Sequence, residues 1–194
     1  MSKLSSLTIW DIDDTLFTTD TKVHVVRDGK RIKSITPAEF NVYKLKTGES
    51  LDFSDFRSAK VFADTARPIN NVFKTAKAIL NKFSRSPNKK TVIVTARADL
   101  DNKQLFLDTF KKYGFNVDNV HVHRAGNIGA GSSADNKKVV IRKLLKQTPY
   151  SIARLFDDAS ENLDKFLELQ SEFPQTKFEA FFVNHAGSIS RYAK

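Results

Sequence analysis

Groups that can do acid–base or phosphoryl chemistry follow apolar runs at four places in this chain. The string DIDDT (11–15) follows LTIW, and TAR (95–97) follows TVIV. The pair KK (137–138) stands near a predicted helix start, and DD (157–158) follows IARLF. In open α/β sheets, ligands bind outside the carboxyl ends of the strands. We therefore expect these acids, hydroxyls and basic groups to converge on one crevice.

The carboxylates in this set predict a bound cation. Several carboxylates that face one crevice repel each other unless a positive charge lies between them. The chain has no cysteine and only four histidines, so the expected metal ligands are oxygens and the expected ion is Mg²⁺. An Mg²⁺ ion held by carboxylates and water leaves a coordination position for a phosphate oxygen.

The same residue types suit the transfer of a phosphoryl group. A carboxylate can attack phosphorus and form an aspartyl-phosphate. A second carboxylate two residues along lies on the same side of a strand, where it can protonate the leaving oxygen and later activate water. A lysine and a hydroxyl can stabilise charge on the transferring oxygens. The residues alone therefore indicate phosphate-ester chemistry.

These strings resemble the motifs of the haloacid dehalogenase superfamily of phosphatases and phosphotransferases. In the family's order along the chain, the matching pieces are DIDDT (11–15), VTAR (94–97), SADNKK (133–138) and FDDASEN (156–162). The resemblance covers about 7–17 and 68–184 of the chain and says little about 18–66. It implies a phosphatase with an aspartyl-phosphate intermediate.

The resemblance implies a catalytic role for each matching residue. Asp11 is expected to be the nucleophile, and Asp13 is expected to be the general acid and base. Thr95 is expected to hydrogen-bond the phosphoryl group. Lys137 is expected to neutralise charge on the nucleophile and the phosphate, with Lys138 as the alternative.

The resemblance also implies an Mg²⁺ site. Its expected ligands are Asp11, the backbone carbonyl of Asp13, and Asp158. Asp157 is expected to act as a ligand through water or as an orienting group, with Asn162 behind it. The pair at 157–158 is also compatible with a simple N-cap of the helix that follows.

Three further residues are expected to bind the substrate. Thr15, Arg97 and Lys138 lie within the matching strings. The Arg97 position resembles that of polynucleotide kinase–phosphatases and related nucleotide phosphatases. A planar guanidinium there could clamp a substrate phosphate through two parallel hydrogen bonds.

Alternating strand and helix patterns predict the scaffold that must position these groups. The five apolar runs expected to be strands are 7–13, 91–95, 119–124, 152–156 and 178–183. Helical periodicity between the runs predicts right-handed crossovers and a mainly parallel sheet. The expected fold is α/β, a three-layer Rossmann-like arrangement around a five-stranded parallel sheet.

Residues 18–66 interrupt this alternation. An Asp-Gly turn at 28–29 predicts a β-hairpin, and the string TPAE (36–39) predicts a helix start. The phenylalanines of 53–62 are expected to form a small core rather than a platform for stacked bases. We expect 18–66 to be a cap or flap insertion within a single domain that spans 1–194.

The amino-acid composition limits the class of protein and its expected location in the cell. Hydrophobic residues make up 40% of the 194 residues, which is enough for a packed core. The absence of cysteine suits a cytoplasmic protein. No apolar run approaches the roughly 20 residues needed to cross a bilayer, and the first residues are too polar for a signal peptide. We expect no membrane partner.

Charge suggests the kind of substrate. The formal net charge is +10, and the segments 65–98 and 136–156 contain basic residues and no acid. We expect both segments to lie near the mouth of the crevice. That arrangement favours a phosphate ester carried by a polyanion, either a nucleotide or a nucleic-acid end.

Three other functions compete with this interpretation. One is a phosphatase of the same family that acts on small non-nucleotide metabolites. Another is a non-catalytic nucleic-acid-binding domain on the same fold, although so many carboxylates beside a polyanion are unfavourable without a metal. The third is a response-regulator-like phosphoacceptor, which the order of acid pair, threonine, lysine and acid pair fits poorly.

Overall fold

The chain alternates strands with helices, and its computed structural model describes residues 4–40, 42–129 and 131–193. Residues 1–3, 41, 130 and 194 of the expected domain lie outside the described residues. The strands are β1 (Ser6–Trp10), β2 (Phe17–Thr18), β3 (Val23–Arg27), β4 (Lys30–Ile35), β5 (Glu49–Asp52), β6 (Arg67–Pro68), β7 (Lys89–Thr95), β8 (His121–Arg124), β9 (Ile152–Asp157), β10 (Lys177–Val183) and β11 (Ile189–Tyr192). The α-helices are α1 (Pro37–Phe40), α2 (Ser54–Arg57), α3 (Ala59–Thr65), α4 (Asn70–Phe83), α5 (Lys103–Lys112), α6 (Ser133–Gln147) and α7 (Ser160–Leu167).

A six-stranded sheet with the order β11-β10-β9-β1-β7-β8 forms the centre. The five strands from β10 to β8 pair in parallel, and β11 pairs antiparallel with β10. The prediction of an α/β fold with a mainly parallel sheet is confirmed, but the described sheet has six strands rather than five. The sequence pattern misses β11 because its four residues, ISRY, carry only two large apolar side chains, too few to show a period.

Helices cover both faces of the sheet and make two separate cores. On one face, α4 and α5 bury Phe73, Leu80 and Phe110 against the sheet. On the other face, α6 and α7 bury Leu144 and Phe166. The arrangement is the expected three-layer one.

No helix in the described part of the chain is long and apolar enough to cross a bilayer.

The pairing register of β1, β7 and β9 aligns the ends of these three strands, where the functional groups follow. Trp10, the last residue of β1, pairs with Ile93 on β7 and with Phe156 on β9. The Trp10 and Phe156 rings are stacked with their centroids 4.0 Å apart. The polar residues that follow on each strand therefore emerge side by side at the carboxyl edge, above an apolar floor.

Residues 18–66 contain a second, three-stranded sheet with the order β4-β3-β5. The expected hairpin forms, with Asp28 and Gly29 at φ angles of 50° and 73° in its turn. The Thr36 N–H donates to Glu39, and the Glu39 N–H donates to Thr36, which is the expected reciprocal cap. A small core holds Val25 and neighbouring apolar residues.

The phenylalanines of 53–62 divide between the small core of residues 18–66 and the main core on the side of α4 and α5. Phe56 packs against the small core of the insertion, whereas Phe62 is fully buried in the main core beside α5. Phe53 is 40% exposed. The insertion is thus anchored to the body of the protein by a fully buried aromatic ring.

Candidate active site

A tight loop after β1 presents the first two carboxylates. The Ile12 carbonyl accepts a hydrogen bond from the N–H of Phe17 at 2.9 Å, and Ile12 itself is fully buried. Asp14 turns the chain with a φ of 57°, a left-handed conformation that aspartate tolerates better than most residues. Because Ile12 anchors the loop in the core, Asp11 and Asp13 on either side of it are held at the carboxyl edge.

Lys137 bridges two buried carboxylates. Its Nζ lies 2.7 Å from Oδ1 of Asp11 and 2.8 Å from Oδ2 of Asp157. All three side chains are at most 5% exposed. Helix α6 delivers the lysine, and the Ser132 hydroxyl caps that helix by accepting the N–H of Asp135. The structure therefore brings Lys137 to the predicted nucleophile.

The two acids that follow β9 have different surroundings. Asp157 is fully buried, and its Oδ1 accepts hydrogen bonds from the Asn162 amide at 2.8 Å and from the N–H of Ala159 at 3.0 Å. Asp158 is less buried and accepts a hydrogen bond from the Thr15 hydroxyl at 3.3 Å. Asp157 thus fits the expected orienting role, and Asn162 stands behind it as expected.

One oxygen from each of Asp11, Asp157 and Asp158 lies within 4.8 Å of the others. Oxygens on opposite sides of an Mg²⁺ ion are separated by about 4 Å, so a small contraction would let all three share one ion. The donor set is entirely oxygen, which is what Mg²⁺ prefers. The side chains present therefore fit the expected ion. The Asp13 carboxylate is not part of this group.

The pKa values of the site residues reflect burial first and the neighbouring charges second. Burial raises the pKa of Asp11 well above its usual value, and Lys137 opposes that effect while Asp157 and Asp158 reinforce it. Burial, and then the charge of Asp157, raise the pKa of Asp158 to about 7. For Lys137, burial alone would lower the pKa, but the two carboxylates outweigh burial and raise it. The lysine stays charged, and one cation does not balance the acids around it.

Asp14 and His185 are two further titratable residues near this edge. Burial, and then the charge of Asp13, raise the pKa of Asp14, whereas the charge of His185 opposes the rise. His185 follows β10 and is exposed. The region after β10 therefore lies close enough to the site to influence its charge.

Thr95 has a free donor at the end of β7. Its Oγ1 accepts the N–H of Arg97 at 3.1 Å, and the side chain is fully buried. A hydroxyl has one hydrogen to donate in addition to its acceptor lone pairs. Among the described residues, no group accepts that hydrogen. The Thr95 hydroxyl thus keeps a hydrogen that it could donate to a ligand.

Arg97 does not occupy the position expected of a phosphate clamp. Its side chain is fully buried and forms two parallel hydrogen bonds with Asp13, from Nε to Oδ2 at 2.8 Å and from Nη2 to Oδ1 at 2.6 Å. A carboxylate of the protein thus holds the fork that the sequence interpretation assigned to a substrate phosphate. Neither Thr21 nor Phe56, which also bond the guanidinium, carries a sequence signal for this contact.

Two other expected substrate contacts also have partners within the protein. Thr15 is fully buried, and its hydroxyl orients Asp158 rather than facing a ligand. Lys138 forms an ion pair with Glu168 at 2.7 Å on the outer surface of α6 and α7. Successive residues of a helix point about 100° apart, so only one of the two lysines can face the carboxylates. The structure selects Lys137.

Several residues of the two basic segments lie far from the candidate site or are paired with acids. Lys89 opens β7, and at about 3.3 Å per residue it lies roughly 20 Å from Thr95 at the other end of that strand. Arg142 pairs with Glu172, and Arg154 pairs with Glu179. The expectation that both basic segments gather at the crevice mouth is therefore wrong for Lys89.

Comparisons with known proteins add two structural similarities. No protein-family model and no curated protein matches this chain. One similar structure is the HAD domain of the effector protein Lem4 from Legionella pneumophila as an inactive mutant. It is 13% identical, covers 91% of this chain and 84% of its own, and has a TM-score of 0.49. The other is the HAD domain of Lem4. It is 12% identical, covers 92% of this chain and 86% of its own, and has a TM-score of 0.47. At these values, neither similarity bears on function.

The buried lysine predicts a large difference between two adjacent positions. Lys137→Met leaves Asp11 and Asp157 buried without their cation, so the free energy of unfolding in EDTA should fall by about 3 kcal/mol or more. Lys138→Met removes a pair at the surface and should cost at most about 1 kcal/mol. Chemical denaturation measures both. Equal losses would contradict the assignment of Lys137 as the site lysine.

The raised pKa of Asp158 predicts a pH-dependent effect of metal. A carboxyl whose folded pKa is about 7 keeps its proton when the unfolded chain, with a pKa near 3.8, has lost it. Stability in EDTA should therefore fall as the pH rises from about 4 to 7, with a smaller fall in Asp158→Asn. Mg²⁺ at about 100 times its Kd should raise Tm by roughly 5–10 °C at pH 8 and less at pH 5. A thermal shift of the same size at both pH values would contradict the site.

Proposed function

We propose that this chain is an Mg²⁺-dependent phosphomonoesterase of the haloacid dehalogenase type that works through an aspartyl-phosphate. The observation that carries the proposal is the buried Lys137 bridge between Asp11 and Asp157, with Asp158 beside it. A structural ion pair would need one carboxylate, whereas this arrangement gathers three around one lysine. Such an excess of carboxylates is unfavourable unless a further cation completes the site.

Asp11 supplies the nucleophile in this proposal. One of its oxygens is held by Lys137, and the other forms the bond to phosphorus as the bond from phosphorus to the leaving oxygen breaks. The Lys137 charge offsets the negative charge that two anions bring together. The Thr95 hydroxyl donates to an oxygen of the transferring group.

Asp13 handles the protons in this proposal. Its proton passes to the leaving oxygen in the first step, and the resulting carboxylate takes a proton from the water that attacks the aspartyl-phosphate. The side chain is 24% exposed, so it is accessible from solvent. Asp11 and Asp13 are thereby restored, and the products are an alcohol and inorganic phosphate.

Mg²⁺ would be held by Asp11 and Asp158, with Asp157 beside them. When bound, the ion supplies positive charge that draws a phosphate oxygen into the crevice and offsets the excess acids. Thr15 and Asn162 orient Asp158 and Asp157 for this task.

The proposed substrate is the terminal phosphate of a nucleotide or a nucleic acid. The support for this class is the net charge of +10, which attracts polyanions over the whole surface. Local charge at the crevice adds nothing to that support, because Arg97 is engaged by Asp13.

Hydrolysis of p-nitrophenyl phosphate with Mg²⁺ and with EDTA tests the activity. Asp11→Asn should lower kcat by about 1,000-fold or more, because the nucleophile is lost. Asp118→Asn, on the surface beside Lys111, is the matched control and should leave kcat unchanged. Full activity in Asp11→Asn would rule out the mechanism.

A substrate panel then tests the class. Mononucleotides, oligonucleotides with 3′- or 5′-phosphates, and sugar phosphates are compared by kcat/KM at two salt concentrations. We expect a preference for a nucleotide or oligonucleotide that weakens as salt rises. A preference for sugar phosphates would assign the chain to small metabolites, and oligonucleotide binding without turnover would indicate a non-catalytic domain.

A further inference from the structure

Arg97 is the largest buried cation that the proposed chemistry does not use directly. Its side chain is fully buried, and it engages both oxygens of Asp13 at 2.6 and 2.8 Å. Arginine stays charged at every pH at which proteins fold and cannot itself exchange a proton. The residue therefore holds Asp13 but cannot itself take or supply a proton.

The insertion holds the other side of the same guanidinium. Nη2 donates to the Thr21 hydroxyl at 3.1 Å, and Nη1 donates to the Phe56 carbonyl at 3.1 Å. The rings of Phe56 and Phe62 lie with their centroids 5.2 and 5.0 Å from the guanidinium carbon. Four hydrogen bonds and two rings thus fix Arg97, and the insertion supplies both rings and two of the bonds.

We propose that Arg97 is a positioning residue that orients Asp13 for proton transfer, and that the insertion takes part in this transfer by holding Arg97. The inference deepens the proposed function and rests on it, since proton transfer by Asp13 belongs to that function. A carboxylate bound through both oxygens to a fixed fork cannot rotate. Each oxygen has a second lone-pair site, which remains available for the proton.

This role differs in a measurable way from a substrate contact. An arginine that binds the phosphate would affect every phosphate ester alike. An arginine that orients the general acid matters most when the leaving oxygen is strongly basic and needs a proton as its bond to phosphorus breaks. A dinitrophenolate leaves without that proton, whereas an alkoxide does not. Dependence on the leaving group therefore separates the two roles.

The first experiment measures kcat/KM, which reports on transfer to Asp11, for 2,4-dinitrophenyl, p-nitrophenyl and alkyl phosphates. Arg97→Gln should lose about 100-fold on the alkyl ester and less than about 10-fold on the dinitrophenyl ester. Arg97→Lys, which keeps the charge but not the fork, should lose nearly as much. Arg142→Lys is the control, because Arg142 forms the same two-bond fork with Glu172 on the surface. Equal losses on all esters would overturn the proposal.

The second experiment tests the insertion without changing a charge. Thr21→Val removes one acceptor from Arg97 at nearly constant volume, and it should show the same leaving-group pattern at a smaller size. Thr18→Val is the control within the insertion, because Thr18 bonds the Arg67 carbonyl and not Arg97. If Thr21→Val shows no leaving-group dependence, the insertion takes no part in the proton transfer.

The third experiment does not depend on activity. Unfolding free energies of Asp13→Asn, Arg97→Gln and the double variant are measured in EDTA as a double-mutant cycle. We expect the double variant to lose less stability than the two single variants lose together, because Asp13→Asn leaves the buried Arg97 charge without its carboxylate and Arg97→Gln leaves Asp13 without its cation. Additive losses would show that Arg97 does not hold Asp13.

These outcomes separate the inference from the function on which it rests. If the wild-type protein hydrolyses no ester, the proposed function is wrong and the proton-transfer role falls with it. The cycle then still decides whether Arg97 holds Asp13. If the wild-type protein is active and the cycle shows coupling, but the losses are equal for all leaving groups, only the positioning role is wrong.

Discussion

The repulsion between carboxylates at the carboxyl edge is the constraint on which this structure depends. Asp11, Asp13, Asp157 and Asp158 meet where β1 and β9 end, and burial makes their mutual repulsion costly. Lys137 and the Arg97 fork supply two positive charges. If all four were ionised, these carboxylates would exceed the two cations by two charges, which is the charge of one Mg²⁺ ion. The capped helix α6 and the anchored insertion serve to hold those two cations in place.

The arrangement of the fold could be predicted where the physical signal is local. Buried parallel strands are continuous apolar runs, so β1, β7, β9 and β10 stand out from their neighbours, and the helices between them show their own period. The edge strand β11 could not be predicted, because one of its edges is unpaired and its four residues bury little. Its position follows from the turn at 184–188, which returns the chain to β10.

The candidate site also contains residues that could be predicted from the sequence and contacts that could not. Asp11, Asp157 and Lys137 follow from strand ends and a helix start, and the structure assembles all three. The partner of Arg97 could not be predicted, because a guanidinium binds a carboxylate of the protein as readily as a phosphate. The choice depends on Thr21 and Phe56, which lie 76 and 41 residues away in the chain. Only the folded insertion brings those groups to the site.

The central claim is that Asp11 becomes covalently phosphorylated, and trapping the intermediate tests it most directly. Wild-type protein with Mg²⁺ is mixed with a phosphate ester, quenched in acid within one turnover, digested and analysed by mass spectrometry. The account predicts phosphate on Asp11, its loss on treatment with hydroxylamine, and no such peptide from Asp11→Asn. Turnover with no covalent phosphate at any quench time, or with phosphate on another residue, would contradict the account.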